Sequence, residues 1–256
     1  MDIVTYVWLF FMAWLASSLA GFTGYGLGII LLPILSVHFG LFESLPILAI
    51  LHLTSNASRV FFNIRHIQWR WFLFFLLGSI PMLFVGYYFF LMVNSGFVIT
   101  LAGVFLLVEV IFRRIYQSNR NLGNYGFFTG SLVSGFYGGI VGHGAPVSTA
   151  VMFALNLTPA AFIATDAMAG LVLTTILSFL FNMYFFITPE KLAWGVFLSI
   201  PVILGSWTGK YIFSRMSFRY YILAVEILFF VIGILMTITN FVGWYDNSIG
   251  LFYNLD

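Results

Sequence analysis

The stretch HLTSNASRVFFNIRH places His52, Asn56, Arg59, Asn63 and His66 at steps of four, three, four and three residues. On an α-helix that spacing puts all five on one face. An arginine held at membrane depth costs ~3 kcal/mol on insertion scales and more by simulation, so this face cannot point into lipid. Arg59 reads in two ways: a cation snorkelling to the nearby interface, or a group paired with an anion along an inward route. Asn56 suits a substrate contact or a helix–helix hydrogen bond. His52 suits a gating or coupling role or interhelical packing. His66 belongs to the interface.

A second signal lies in PAAFIATDAMAGLVLTTILSFLFN, where Asp166 stands alone among apolar neighbours. An ionised, unpaired carboxylate there is very costly, so Asp166 needs a partner, a bound cation or a proton. That makes it a candidate coupling residue, with Thr165 beside it; a structural cap or a place near the outer interface is the alternative. Thr174, Ser178 and Asn182 follow at i+4 steps and either line a passage or bond helical carbonyls. Glu43 and Glu109 read as structural, the latter with Arg113 four residues on. Glu226 pairs with Arg219 or packs against another segment.

The third signal is a pair of glycine breaks, GFTGYGLGIILLPI from Gly21 to Ile34 and GFYGGIVGHGAP from Gly135 to Pro146. Broken backbone in a bilayer is tolerated only where protein or a wet cavity satisfies it. Gly24, Gly26 and Gly28 let the chain turn and approach closely; Gly142, Gly144 and Pro146 do the same in the second break. A helix that restarts after such a break points free amides and its dipole inward, which favours an anion. Tyr25 and His143 occupy equivalent places in the two breaks. His143 is a substrate contact, a proton-responsive group or a structural donor. Close helix packing is the competing explanation for the glycines. Neither break has the GxxxxGK[ST] pattern of a phosphate loop.

The elements that position these residues follow from composition. Of 256 residues 62% are apolar and 7% charged, and mean hydropathy is +1.06. A soluble domain carries roughly 25% charged residues, so the chain belongs in a bilayer. Without cysteine it has no disulfides and no thiolate-ligated metal. A net charge of +2 is too small for nucleic-acid binding. Asp2 is the only charge before Glu43, so the first apolar run lacks the basic start of a signal peptide and reads as a permanent membrane segment.

Apolar segments fall near residues 4–21, 28–41, 43–64, 69–91 and 96–112, then 123–141, 145–156, 159–186, 190–213 and 218–240. Those at 28–41 and 145–156 are too short to cross ~30 Å of hydrocarbon and follow the glycine breaks. Gly24 and Gly142 are 118 residues apart, whereas Trp71 and Trp194, like Gly86 and Gly209, are 123 apart. The expected fold is an all-α polytopic membrane protein built from two inverted repeats of about five segments each, 8–10 membrane segments in all. The first repeat and its connecting loop span 1–121; the second and a short tail span 122–256. With five passes per half, nine of ten basic residues fall on one side, with only Lys191 opposite. The positive-inside rule then predicts a cell-membrane protein with both termini extracytoplasmic.

Taken together, these motifs resemble the sulfite exporter TauE/SafE family. GFTGYGLGIILLP is similar to its repeated glycine motif, with Leu27 at one glycine position. GGIVGHGAPVSTAV resembles the second copy, with Ala145 and Pro146 at glycine positions and Val151 at the later proline. RHIQWRWFLFFLLGSIPMLFVG and LAWGVFLSIPVILGSWTG also look like the family, and the resemblance covers roughly residues 10–235. It implies a secondary transporter, an exporter or permease, for a small anion such as sulfite, an organosulfonate or a related organic acid. It implies proton or ion coupling without ATP, no cofactor and no enzymatic activity. On that reading Gly24, Tyr25, Gly26, Gly28, Asn56, Arg59, Gly142, His143 and Gly144 bind substrate. His52, Thr165 and Asp166 couple or gate, by alternating access. Two other readings stay open: a passive anion channel, and an intramembrane enzyme gathering His52, His143 and Asp166.

Overall fold

The computed structural model describes residues 2–23, 26–93, 123–141, 145–155, 157–185 and 188–213, with scattered positions in 97–110 and 223–238. It is all-α among these residues. The helices are α1 (Ile3–Thr23), α2 (Leu27–Phe39), α3 (Leu41–Asn63), α4 (Trp69–Met92), α5 (Gly123–Val141), α6 (Ala145–Phe153), α7 (Pro159–Phe185) and α8 (Pro189–Phe213). A short 3-10 turn, Ile64–His66, joins α3 to α4. Among the described residues five helices are long and apolar enough to cross a membrane: α1, α3, α4, α7 and α8. The described positions of 97–110 and 223–238 are helical too, and Gly103 faces the carbonyl of Gly233.

Local chemistry explains the ends. Thr158 and Thr188 each precede a proline, and their hydroxyls accept from the amides of Ala161 and Lys191 at 3.4 Å. Proline at the first helical position loses no helical hydrogen bond, and threonine before it caps a free amide. Gly26 precedes α2 with φ 117°, a left-handed conformation that a side chain resists. As the residue before the helix, Gly26 has no side chain with which to cap the amides that open α2. With 13 and 9 residues, α2 and α6 are shorter than a bilayer crossing.

The helices pack as two bundles that do not follow the halves of the chain. One apolar core joins α1, α2, α3 and α8 through residues such as Leu9, Leu31, Leu51 and Leu198. The other joins α4, α5, α6 and α7 through Phe75, Phe127, Met152 and Leu173. Each bundle thus holds three helices from one half and the fourth helix of the other. Contacts fix the helix directions. Tyr6 stacks on Trp194 and Ser17 bonds near Val202, so α1 and α8 run parallel. Glu43 pairs with Lys191 at one end and Lys210 donates to the Phe62 carbonyl at 2.7 Å at the other, so α3 and α8 are parallel too. In the second bundle Trp71 meets Phe127 and Gly86 meets Phe136, which makes α4 and α5 parallel. Gln68 meets Thr165 and Tyr87 donates to the Leu180 carbonyl, which aligns α4 with α7. Between bundles the order reverses: Asn56 meets Thr174 and Ile67 packs with Ala164, so α3 and α7 are antiparallel.

Small residues hold the exchanged helices close, since lipid supplies little drive for helix association beyond packing and polar contacts. A side chain at Gly86 would strike the carbonyl of Phe136, and one at Gly209 the carbonyl of Ser18. Ser17 adds hydrogen bonds to the Val202 carbonyl, 2.6 Å, and to Ser206, 3.0 Å. Gly86→Val and Gly209→Val should each destabilise the protein by about 1–3 kcal/mol through overpacking. Thermal melting in detergent checks this against Val133→Ala on the exposed face of α5; equal melting temperatures would mean these crossings are loose.

Candidate functional site

The antiparallel seam of α3 on α7 is where the bundles meet. Its apolar part is Val60 against Ala164 and Ala167. Its polar part begins at Asn56, whose amide reaches the Thr174 hydroxyl at 3.4 Å. Gly170 makes room for it: an added Cβ would lie 3.0 Å from Asn56 Nδ2.

Arg59 is buried one turn further on. Its guanidinium donates to Asn56 Oδ1, to the Ala20 carbonyl at 3.5 Å, and through Nε to the Ser55 carbonyl at 3.4 Å. Ala20 lies near the end of α1, so Arg59 stands beside the first glycine break. The opposite charge acting on Arg59 is Asp166, buried on α7. The Ser148 hydroxyl donates to Asp166 Oδ1 at 2.8 Å. Ser148 is the fourth residue of α6, so Asp166 stands beside the second break. Hydrogen bonds thus tie Arg59 to the end of α1 and Asp166 to the start of α6, and the two opposite charges act on each other between them. A guanidinium tolerates such a place because its N–H donors spread over carbonyl and amide oxygens while a carboxylate supplies the opposite charge.

The expected residues separate into groups. His52, Asn56, Arg59 and Asn63 are buried on one face of α3, while His66 sits exposed in the 3-10 turn, as befits an interfacial residue. Asn63 serves the helix end, donating to the Arg59 carbonyl at 3.0 Å. The Thr165 hydroxyl accepts from the Gln68 amide at 3.0 Å and so ties α7 to the start of α4. Gly26 and Gly28 are buried at the opening of α2. Gly24, Tyr25, Gly142, His143 and Gly144 lie outside the described residues, as do Glu109, Arg113 and Arg219. Glu43 is a structural residue paired with Lys191.

Two serines were missed from sequence. Ser148 is a lone hydroxyl in a short apolar helix, with nothing to mark it before its neighbour is known. Ser55 was findable: it lies three residues after His52 and four before Arg59, on the same face. Its hydroxyl is buried with no hydrogen-bond partner among the described residues, a rare condition that calls for an explanation.

The Ser55 hydroxyl, the Asn56 amide and the Arg59 guanidinium form a donor set suited to a small oxyanion. Among the described residues no group of three or more His, Asp or Glu is placed to hold a metal. Arg59→Gln should lower stability by about 3–5 kcal/mol, because it strips a buried carboxylate of its counter-charge. Adding Asp166→Asn should recover much of that loss in a double-mutant cycle read by detergent melting. Strictly additive losses would mean the two charges do not act on each other.

The seam, its buried charge pair and the glycine breaks all fall inside one family match. The model for "Sulfite exporter TauE/SafE" covers residues 9–236, which includes both bundles. No curated protein and no solved structure matches the chain. A match of this extent shows the family: the chain belongs to the sulfite exporter TauE/SafE family and is a multi-pass membrane transporter that handles small anions.

Proposed function

We propose that the chain is a secondary transporter, an exporter or permease for sulfite, an organosulfonate or a related organic acid, that works by alternating access with a coupled proton or cation. One observation carries the reading. Arg59 of one bundle and Asp166 of the other are buried opposite charges that act on each other, beside both glycine breaks. An anion held there by Ser55, Asn56, Arg59 and the opening amides of α2 sits between two bodies that can move against each other. Gly24, Tyr25, Gly142, His143 and Gly144 are further substrate-binding residues in this reading, and His52 gates.

The packing supports an inverted repeat of five segments per half. Gly86 meets Phe136 as Gly209 meets Ser18. Those pairs differ by 123 and 118 residues, the offsets that relate the halves. Asn56 and Thr174, themselves 118 apart, touch one another, as residues flanking a pseudo-twofold axis would. Counterpart helices α3 and α7 run in opposite directions. The shared end of α3 and α8 carries Arg65, Arg70 and Lys210, which favours that end as cytoplasmic and both termini as extracytoplasmic.

The chain has no cysteine, so cross-links can be introduced singly. Cysteines at Ile67 and Ala164, across the seam, should abolish sulfite flux in proteoliposomes on oxidation and restore it on reduction. Cysteines at Thr54 and Ser199, whose hydroxyls are 2.9 Å apart within one bundle, should leave flux intact. Full flux through the oxidised seam variant would rule out bundle motion. Arg59→Gln should reduce flux roughly tenfold or more, the loss of one charge-assisted contact. Accumulation of sulfite that ignores every imposed ion gradient would favour a passive channel.

A further inference from the structure

The seam cluster is electrically balanced when empty. Arg59 contributes one positive charge and Asp166 one negative, each from a different bundle and each buried. A monovalent anion arriving at Ser55, Asn56 and Arg59 makes the cluster net negative while Asp166 stays ionised. An uncompensated charge in such surroundings is strongly penalised. The anion and the Asp166 carboxylate also draw on the same guanidinium. A proton on Asp166 removes both conflicts at once.

On the transport reading above, we infer that binding of each monovalent anion at Arg59 is accompanied by uptake of one proton on Asp166, so that the loaded and empty clusters carry the same net charge. The contacts suit that exchange. Ser148 donates to Oδ1 of the carboxylate. Ser148 keeps its hydrogen bond in both states and acts as a positioning residue. The proton comes from water on whichever side is open, and no other bond is made or broken. Each cycle moves the anion and the proton together, and no net charge crosses the membrane.

Other ionisable groups near α7 are few. On α3 they are Arg59, His52 and, at the far end, exposed Glu43; the 3-10 turn adds Arg65 and His66 and α4 adds Arg70 and Tyr88, all four exposed, and Tyr87, which donates to the Leu180 carbonyl. α6 carries none, and α1 offers only Tyr6 and the neighbouring Asp2, both exposed and at the far end. His52 lies one turn from Asn56, and His143 precedes α6 outside the described residues. Those two histidines are the rival proton acceptors.

Methanesulfonate is the probe, because it stays ionised across the working pH range and brings no proton of its own. Mixing it with purified protein in weak buffer should consume one proton per anion bound, read by a pH dye. Its affinity should fall roughly tenfold per pH unit as pH rises, the slope of one linked proton. Flux into proteoliposomes should not respond to an imposed membrane potential. Asp166→Asn should bind with an affinity that no longer varies with pH, and its flux should become electrogenic. Ser148→Ala leaves both charges in place; it should move the pH midpoint and keep one proton per anion. Binding without proton uptake overturns this inference and leaves the transporter reading standing. So does pH dependence that survives Asp166→Asn and vanishes in His52→Gln or His143→Gln. Failure of both methanesulfonate and sulfite to bind overturns the anion reading of the site, and this inference with it.

Discussion

A guanidinium buried in a bilayer protein must be answered by a carboxylate, and here the answer comes from another body of the fold. Arg59 belongs to the bundle of α1, α2, α3 and α8; Asp166 belongs to the bundle of α4 to α7. Much of the seam is arranged around that meeting. Gly170 lacks a side chain where Asn56 comes close. Ala164 and Ala167 keep α7 thin beside Val60. Ser148 reaches over from the short helix to hold the carboxylate. Ile67, Met168 and Leu171 fill the apolar part of the seam, so the joint between the bundles is packed as well as polar.

The bundles themselves are built to stay rigid. Glu43 with Lys191 and Lys210 with the Phe62 carbonyl pin α3 to α8 at both ends, and Thr54 with Ser199 pins them in the middle. In the second bundle Gln68 with Thr165 and Tyr87 with the Leu180 carbonyl pin α4 to α7. Across the seam α3 packs on α7 as closely as it packs on α8.

Much of this was legible in the sequence, for physical reasons that can be named. The α3 stripe was readable because helical periodicity maps spacing onto a face, and four of its five members are buried there. The two short helices after the glycine breaks were readable because length and backbone chemistry are local. Thr158 and Thr188 announced their helices for the same reason. What stayed hidden was tertiary. Nothing in the spacing of Arg59 and Asp166 says that they meet. Thr165 looked like a companion to Asp166, yet its hydroxyl serves the Gln68 amide. Glycine and serine on α1, α4, α5 and α8 advertise close crossings but do not name the partner, so the exchange of the fourth helices could not be read.

That exchange bears on how the protein is made. When the ribosome has released the first half, three helices of the first bundle are present and the fourth, α8, is not yet synthesised. The faces of Ser17 and Gly21 then wait for Val202, Ser206 and Gly209, while α4 waits for α5. Neither half can finish its own bundle. Until α8 is made, the faces of α1 and α3 that it covers have no native partner.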